Sequence, residues 1–125
     1  MKIMLKRILI VDDNTEHLDV LKDALSYFNF LIETRCDGKE LLSVVENFKP
    51  DLLLLDYILP GDNGVDLCQK IKNNAQTNDI PVILMSGYLG VLEQFTCCNG
   101  FLYKPLDLNV LLEKIDDLIG DKVTV

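Results

Sequence analysis

Asp12-Asp13, Asp56, Ser86 and Lys104 each stand where a short apolar run ends: after Ile8-Leu9-Ile10-Val11, Leu52-Leu53-Leu54-Leu55, Val82-Ile83-Leu84-Met85 and Phe101-Leu102-Tyr103 respectively. If the runs are neighbouring strands, one edge gathers three carboxylates, a hydroxyl and an ammonium. Two unit charges about 4 Å apart repel by roughly 4 kcal/mol at an effective dielectric near 20. Three neighbouring carboxylates therefore need a cation or a raised pKa. Mg²⁺ answers that need, because it takes oxygen ligands, keeps several waters and commonly uses one or two carboxylates together with a phosphate. With Mg²⁺ and Lys104 neutralising the oxygens of a phosphoryl group and Ser86 donating a hydrogen bond, Asp56 can attack phosphorus as a carboxylate nucleophile, giving an acyl phosphate. An ionised nucleophile needs no general base. Taken singly, Ser86 reads as a turn residue or helix cap, and Lys104 as a lysine that needs a negative partner; only their shared placement points to chemistry. His17, several residues past the acid pair, reads as a surface histidine.

Such placement depends on the fold. The runs starting at Ile8, Leu52 and Val82 are apolar at every position, as in parallel strands buried on both faces, and they predict three central strands. Phe30-Leu31-Ile32-Glu33-Thr34 and Phe101-Leu102-Tyr103 predict two more. Between them, apolar residues recur three or four apart at Leu18, Leu21, Leu25 and Phe28, at Leu41, Val44, Val45 and Phe48, and at Leu67, Cys68 and Ile71. Leu108, Leu111, Leu112, Ile115 and Leu118 repeat the pattern in a last helix. Asn14 and Asp37 are candidate N-caps, and Gly120 falls where a helix-ending glycine belongs. Strands alternating with helices give an α/β fold: a doubly wound, five-stranded parallel sheet with right-handed crossovers. In strand order 2-1-3-4-5, ligands bind beyond the carboxyl ends where the order reverses, between strands one and three. That rule selects residues 12–13 and 56.

The 125 residues carry 12 basic and 20 acidic side chains, a net charge of −8, with 49% hydrophobic residues. This supports a single domain over 1–125 with a core of about 6–120 and excludes global disorder. The scattered basic residues form no stripe for phosphate backbones, so direct nucleic-acid binding is not expected. No apolar run reaches the length of a membrane span and the N-terminus lacks a signal-peptide pattern, so a cytoplasmic protein is expected. Cys36, Cys68, Cys97 and Cys98 contain no C-x-x-C pair and read as small hydrophobes in a reducing compartment.

In order and spacing, Ile8-Leu9-Ile10-Val11-Asp12-Asp13-Asn14, Asp51 through Asp56 to Gly64, Pro81-Val82-Ile83-Leu84-Met85-Ser86-Gly87 and Gly100-Phe101-Leu102-Tyr103-Lys104-Pro105 resemble the receiver domain of two-component response regulators. The resemblance spans nearly the whole chain and implies a flavodoxin-like fold and a signalling module rather than an enzyme. It implies that Asp56 accepts a phosphoryl group from a phosphohistidine on a sensor histidine kinase or histidine phosphotransfer protein. Asp12 and Asp13, with Asp56 and the backbone carbonyl of Ile58, would hold Mg²⁺. Ser86 would be the switch hydroxyl, Lys104 the phosphate-binding lysine and Phe101 the switch aromatic. The chain departs from the family in one respect: 17 residues separate Ser86 from Lys104, about one helical turn short. The fourth helix must be abbreviated within Leu89 to Thr96, which alters the output surface.

Three rivals share parts of this pattern. An aspartate-nucleophile phosphatase of the haloacid-dehalogenase type needs a second acid two residues after the nucleophile, where this chain has Ile58. A flavodoxin-like FMN carrier needs a phosphate cradle after strand one, where Asp12-Asp13 would repel it. A pseudo-receiver that only binds partners would have lost the acids, hydroxyl or lysine, and all are present. Residues Gly120 to Val125 are too few for an effector domain; if this is the full chain, output is expected through a downstream protein partner, from a protein that is monomeric before phosphorylation. Asp107, Glu113, Lys114, Asp116 and Asp117 are candidate exposed contacts on the last helix.

Overall fold

A computed structural model describes residues 4–120. Residues 121–125, on which the expectation about an effector domain partly rests, lie outside the described residues. The elements, in chain order, are β1 (Arg7–Val11), α1 (Thr15–Tyr27), β2 (Leu31–Arg35), α2 (Leu41–Phe48), β3 (Leu52–Asp56), β4 (Ile58–Leu59), β5 (Asp62–Asn63), α3 (Gly64–Lys72), β6 (Val82–Ser86), a single 3₁₀ turn (Leu92–Gln94), β7 (Gly100–Tyr103) and α4 (Leu108–Ile119). Five strands form one parallel sheet in the order β2-β1-β3-β6-β7. Because β4 and β5 pair only with each other in a two-residue antiparallel ladder, this is the expected 2-1-3-4-5 order.

The all-apolar runs occupy the centre. Every residue of β3 and β6 is buried, as are four of the five in β1, whereas the edge strands β2 and β7 each bury one residue and leave the others exposed or half-buried. Alternating side chains divide the sheet into two cores. Leu9, Val11, Leu53, Leu55, Val82 and Leu84 face α2 and α3, where Val45, Cys68 and Ile71 meet them. Ile8, Ile10, Leu52, Leu54, Ile83 and Met85 face α1 and α4, where Leu21, Leu25, Leu111 and Ile115 meet them. Burying one such aliphatic side chain contributes on the order of 2 kcal/mol. The result is a rigid sheet whose carboxyl edge is fixed by packing on both faces. Cys68 lies fully inside the first core, and burial, followed by the neighbouring Cys97, pushes its thiol pKa up, which keeps it unreactive.

Two local expectations are corrected. Asp37 does not cap α2: that helix starts after Glu40 in a left-handed conformation (φ 52°), and Asp37 Oδ1 instead accepts the Lys39 N–H at 3.0 Å, an Asx turn within the loop. Phe28 does not extend the buried stripe of α1. It is 45% exposed and packs edge-on against Tyr27 outside the core, because the helix ends one residue before it. Gly120 does follow α4, but with an ordinary φ of −66°; glycine suits the site because a Cβ there would lie 2.2 Å from Asp116 Oδ1.

The fourth crossover has its helix reduced further than the loss of one turn requires. Its only helical piece is the 3₁₀ turn, a form that rises faster per residue than an α-helix and so covers the span with fewer residues. Leu92 is fully buried and anchors it. The Tyr103 hydroxyl accepts the Leu92 N–H at 2.9 Å and donates to Glu93 Oε2, tying the turn to β7. Phe95 packs on Tyr57 with ring centroids 5.6 Å apart. Tyr103→Phe is expected to speed amide exchange at Leu92 about fivefold, the worth of one neutral hydrogen bond, while leaving exchange in the central strands unchanged. Equal acceleration in β3 would show that the hydroxyl acts on the whole fold.

Candidate functional site

Register places the chemistry. Val11 is level with Leu55, Asp56 with Met85 and Ser86 with Tyr103, so Asp12, Asp56, Ser86 and Lys104 emerge at or one residue beyond neighbouring strand ends. Backbone pairing continues past the regular ladder: the Asp12 N–H donates to Arg35 O, the Tyr57 N–H to Met85 O and the Lys104 N–H to Ser86 O, at 3.1, 2.8 and 2.8 Å. The functional side chains therefore hang from backbone that is still part of the sheet. Below Asp56, the Gly64 N–H donates to Tyr57 O at 2.6 Å, and a Cβ on Gly64 would lie 2.2 Å from the Asp56 carbonyl oxygen. Only glycine admits that approach.

Asp12 is fully buried and Asp56 is 6% exposed. Asp12 Oδ1 accepts the Asn14 N–H at 3.0 Å, and its Oδ2 contacts Lys104 Nζ at 2.9 Å and His17 Nδ1 at 2.5 Å. Lys104 Nζ also donates to Asp56 Oδ2 at 3.1 Å, so one ammonium bridges both buried acids. Asp13 is exposed at the mouth. One oxygen from each of Asp12, Asp13 and Asp56 can be chosen so that all three lie within 4.8 Å of one another. Such a set of hard oxygen donors fits a divalent cation such as Mg²⁺.

The electrostatics separate the two buried acids. Burial pushes the Asp12 pKa up, but the Asn14 N–H, His17 and Lys104 outweigh it, and the net shift is downward. Burial and then the Asp12 charge raise Asp56 from 3.8 to about 6, with Lys104 offsetting only part. Lys104 is held above its ordinary value: burial works against its charge, and the two carboxylates more than compensate. Asp56 is thus the acid whose charge is least neutralised, the one with most to gain from an added positive centre.

The remaining expected residues take defined places. Ser86 is buried, with its Oγ accepting the Tyr88 N–H at 2.9 Å. Phe101 is half-buried on β7, edge-on to Tyr103 with centroids 5.8 Å apart. Ile58 and Tyr88, two positions beyond Asp56 and Ser86, are 50% and 66% exposed. On α4, Glu113, Asp116 and Asp117 are exposed and Lys114 is half-buried, while Asp107 is used locally, its Oδ1 capping the helix by accepting from Asn109 and Val110.

His17 is the residue the sequence reading misplaced. It is not a free surface histidine but a direct partner of Asp12. The signal was available in its position: Asn14 caps α1 by accepting the His17 N–H at 3.1 Å, and the third residue of a capped helix points its side chain back towards the chain entering it.

Residues 8–116 match the response regulator receiver domain family. Response regulator PleD of Caulobacter vibrioides is 30% identical over 98% of this chain, which spans 28% of that protein. Response regulator MprA of a Mycobacterium species is 28% identical over 90% of the chain, which spans half of that protein. Among solved structures, a CheY-like receiver domain protein from Methanospirillum hungatei is 33% identical with a TM-score of 0.82, covering 91% of this chain and 93% of its own. The response regulator TrrA of Thermotoga maritima, in complex with Mg²⁺ and BeF, is 27% identical with a TM-score of 0.83, covering 92% of this chain and all of its own. Among the described residues, no helix is long and apolar enough to cross a membrane.

Because Asp56 binds its proton more tightly in the folded chain (about 6) than its ordinary 3.8, folding is favoured while it stays protonated, and stability falls as pH rises from about 4 through 6. With a chelator present, Asp56→Asn is expected to be more stable than wild type at pH 7.5 by up to about 3 kcal/mol, the difference closing near pH 4. Urea denaturation at both pH values checks this. A wild type as stable as the variant at pH 7.5 would contradict the cost of holding a charged Asp56 buried beside Asp12.

Proposed function

We propose, on the premise that this chain belongs to the response regulator receiver domain family, that Asp56 is its phosphoacceptor and that phosphorylation there changes its contacts with a partner protein. The observation that carries the assignment is the Lys104 ammonium set between Asp12 and Asp56, at 2.9 and 3.1 Å, beside a cluster of three carboxylates. The donor is a phosphohistidine on a sensor histidine kinase or histidine phosphotransfer protein. An Asp56 oxygen bonds to phosphorus, the phosphorus–nitrogen bond of the donor breaks, and the released imidazole takes up a proton. At pH 7 a carboxyl group with a pKa of about 6 is mostly ionised and is a stronger base than an ordinary aspartate, so it needs no general base. Lys104 turns its donors to the new phosphoryl oxygens and Ser86 exchanges its loop contact for one of them. Asp12, Asp13 and Asp56, with the Ile58 carbonyl, would hold Mg²⁺, whose charge offsets that of the transferring group.

The output follows from population shift: contacts to the phosphoryl group made only in the active arrangement bias an existing equilibrium, with Ser86 and Phe101 moving together. A crossover reduced to one 3₁₀ turn gives a symmetric dimer little helical surface at that point. The readout is therefore a heterologous protein docking near Phe101 and α4, from a chain that acts as a cytoplasmic monomer before phosphorylation.

With Mg²⁺ and acetyl phosphate, the wild type is expected to gain one phosphoryl group by intact mass and Asp56→Asn none. Retention of the wild-type gain in that variant would move the nucleophile elsewhere. Ile58 cannot orient a water and Tyr88 is bulky, so the phosphorylated form is expected to lose its group slowly, and Ile58→Asn or Tyr88→Glu to quicken the loss. Phosphate release followed over time checks this, and wild-type decay as fast as both variants would refute it.

A further inference from the structure

We infer that His17 is a positioning residue: by holding Asp12, it frees Lys104 to turn to a phosphoryl group on Asp56. The inference rests on Asp56 being the phosphoacceptor, and it concerns a side chain that the proposed chemistry does not otherwise use.

An ionised carboxylate only accepts hydrogen bonds, so in the 2.5 Å contact the proton sits on His17 Nδ1 and is donated to Asp12 Oδ2. The same oxygen accepts from Lys104 Nζ at 2.9 Å, and Oδ1 accepts the Asn14 N–H at 3.0 Å. Asp12 is fully buried, so water does not replace a donor that leaves. Lys104 is the donor with a second claim on it, through Asp56 at 3.1 Å. A phosphoryl group on Asp56 multiplies that claim, because it brings several strong acceptor oxygens to the same place. If Lys104 were the sole side-chain donor to Asp12, its departure would strip Oδ2 of its hydrogen bond and leave the carboxylate to the metal and the Asn14 N–H alone, so the buried Asp12 would resist the move. With His17 in place, each Asp12 oxygen keeps a donor when Lys104 turns away.

His17 can do this because it does not depend on the phosphoryl site for its position. Its backbone is fixed in the first turn of α1 by the Asn14 cap, and its side chain, 20% exposed, lies at the helix end that faces the strand edge. The cavity of about 450 Å³ between α1 and α4 is lined by both His17 and Lys104, which gives the two side chains room to move independently of the packed cores.

The test uses the beryllofluoride mimic of a phosphoryl group, followed by ¹⁹F NMR at saturating Mg²⁺, with Mg²⁺ affinity measured separately by calorimetry. His17→Leu removes the donor. His17→Asn restores one on the same γ-carbon that carries Nδ1, whereas His17→Gln sets its amide one bond too far. Beryllofluoride is expected to bind about tenfold more weakly to the Leu and Gln variants and within about threefold of wild type in the Asn variant, with Mg²⁺ affinity alone little changed. In a Lys104→Met background, His17→Leu is expected to change nothing further, since the effect runs through the lysine. Wild-type beryllofluoride affinity in His17→Leu would overturn the role of His17. So would a tenfold loss that persists without Lys104, or one matched by the loss in Mg²⁺ affinity, which would make His17 part of the metal site. A wild type that binds Mg²⁺ but takes up no beryllofluoride would instead remove the reading of Asp56, and the inference with it.

Discussion

Two buried carboxylates bridged by one ammonium form the constraint around which this protein is arranged. Asp12 and Asp56 end adjacent strands of a parallel sheet, where packing on both faces leaves them little water. Like charges so placed are tolerable only with a shared counter-charge, and Lys104 supplies it from the far side of β6. The compensation is unequal. Asp12 collects a backbone N–H, an imidazole and the ammonium, while Asp56 shares the ammonium and keeps a pKa of about 6. That inequality leaves Asp12 the better-neutralised acid and Asp56 the one with more to gain from an added positive centre.

The rest of the fold serves to hold this pair still. The apolar stretches of β1, β3 and β6 supply two cores whose rigidity is transmitted to the strand ends, and backbone hydrogen bonds continue one residue past each regular ladder so that the acids and the lysine do not sit on loose loops. Gly64 lets the turn after β3 close directly under the Asp56 carbonyl. The Ser86 hydroxyl is held by its own loop, and the crossover after it is anchored by Leu92 and the Tyr103 hydroxyl. Ser86, Phe101, Tyr103 and the 3₁₀ turn all lie on the β6–β7 side of the sheet, next to Asp56.

Much of this was legible in the residues alone. Uniformly apolar runs determine which strands lie at the centre, because a strand with one wet face must alternate; the acids, the serine and the lysine then fall at a common edge by topology. Set against the spacing usual in the receiver family, the 17 residues between Ser86 and Lys104 implied an abbreviated fourth helix. Tertiary structure decided what depends on direction rather than spacing. Asp37 and Asn14 are equally good caps on paper, yet only Asn14 stands immediately before a helix, three residues ahead of the N–H it accepts, whereas a left-handed Glu40 delays the start of α2. Phe28 carries the right period and still faces outward, because α1 stops at Tyr27. Above all, sequence fixes that His17 lies one turn into a helix, but not where that helix points; only the packing of α1 against the sheet brings its imidazole onto Asp12, because a contact across an element boundary depends on the angle between the two elements.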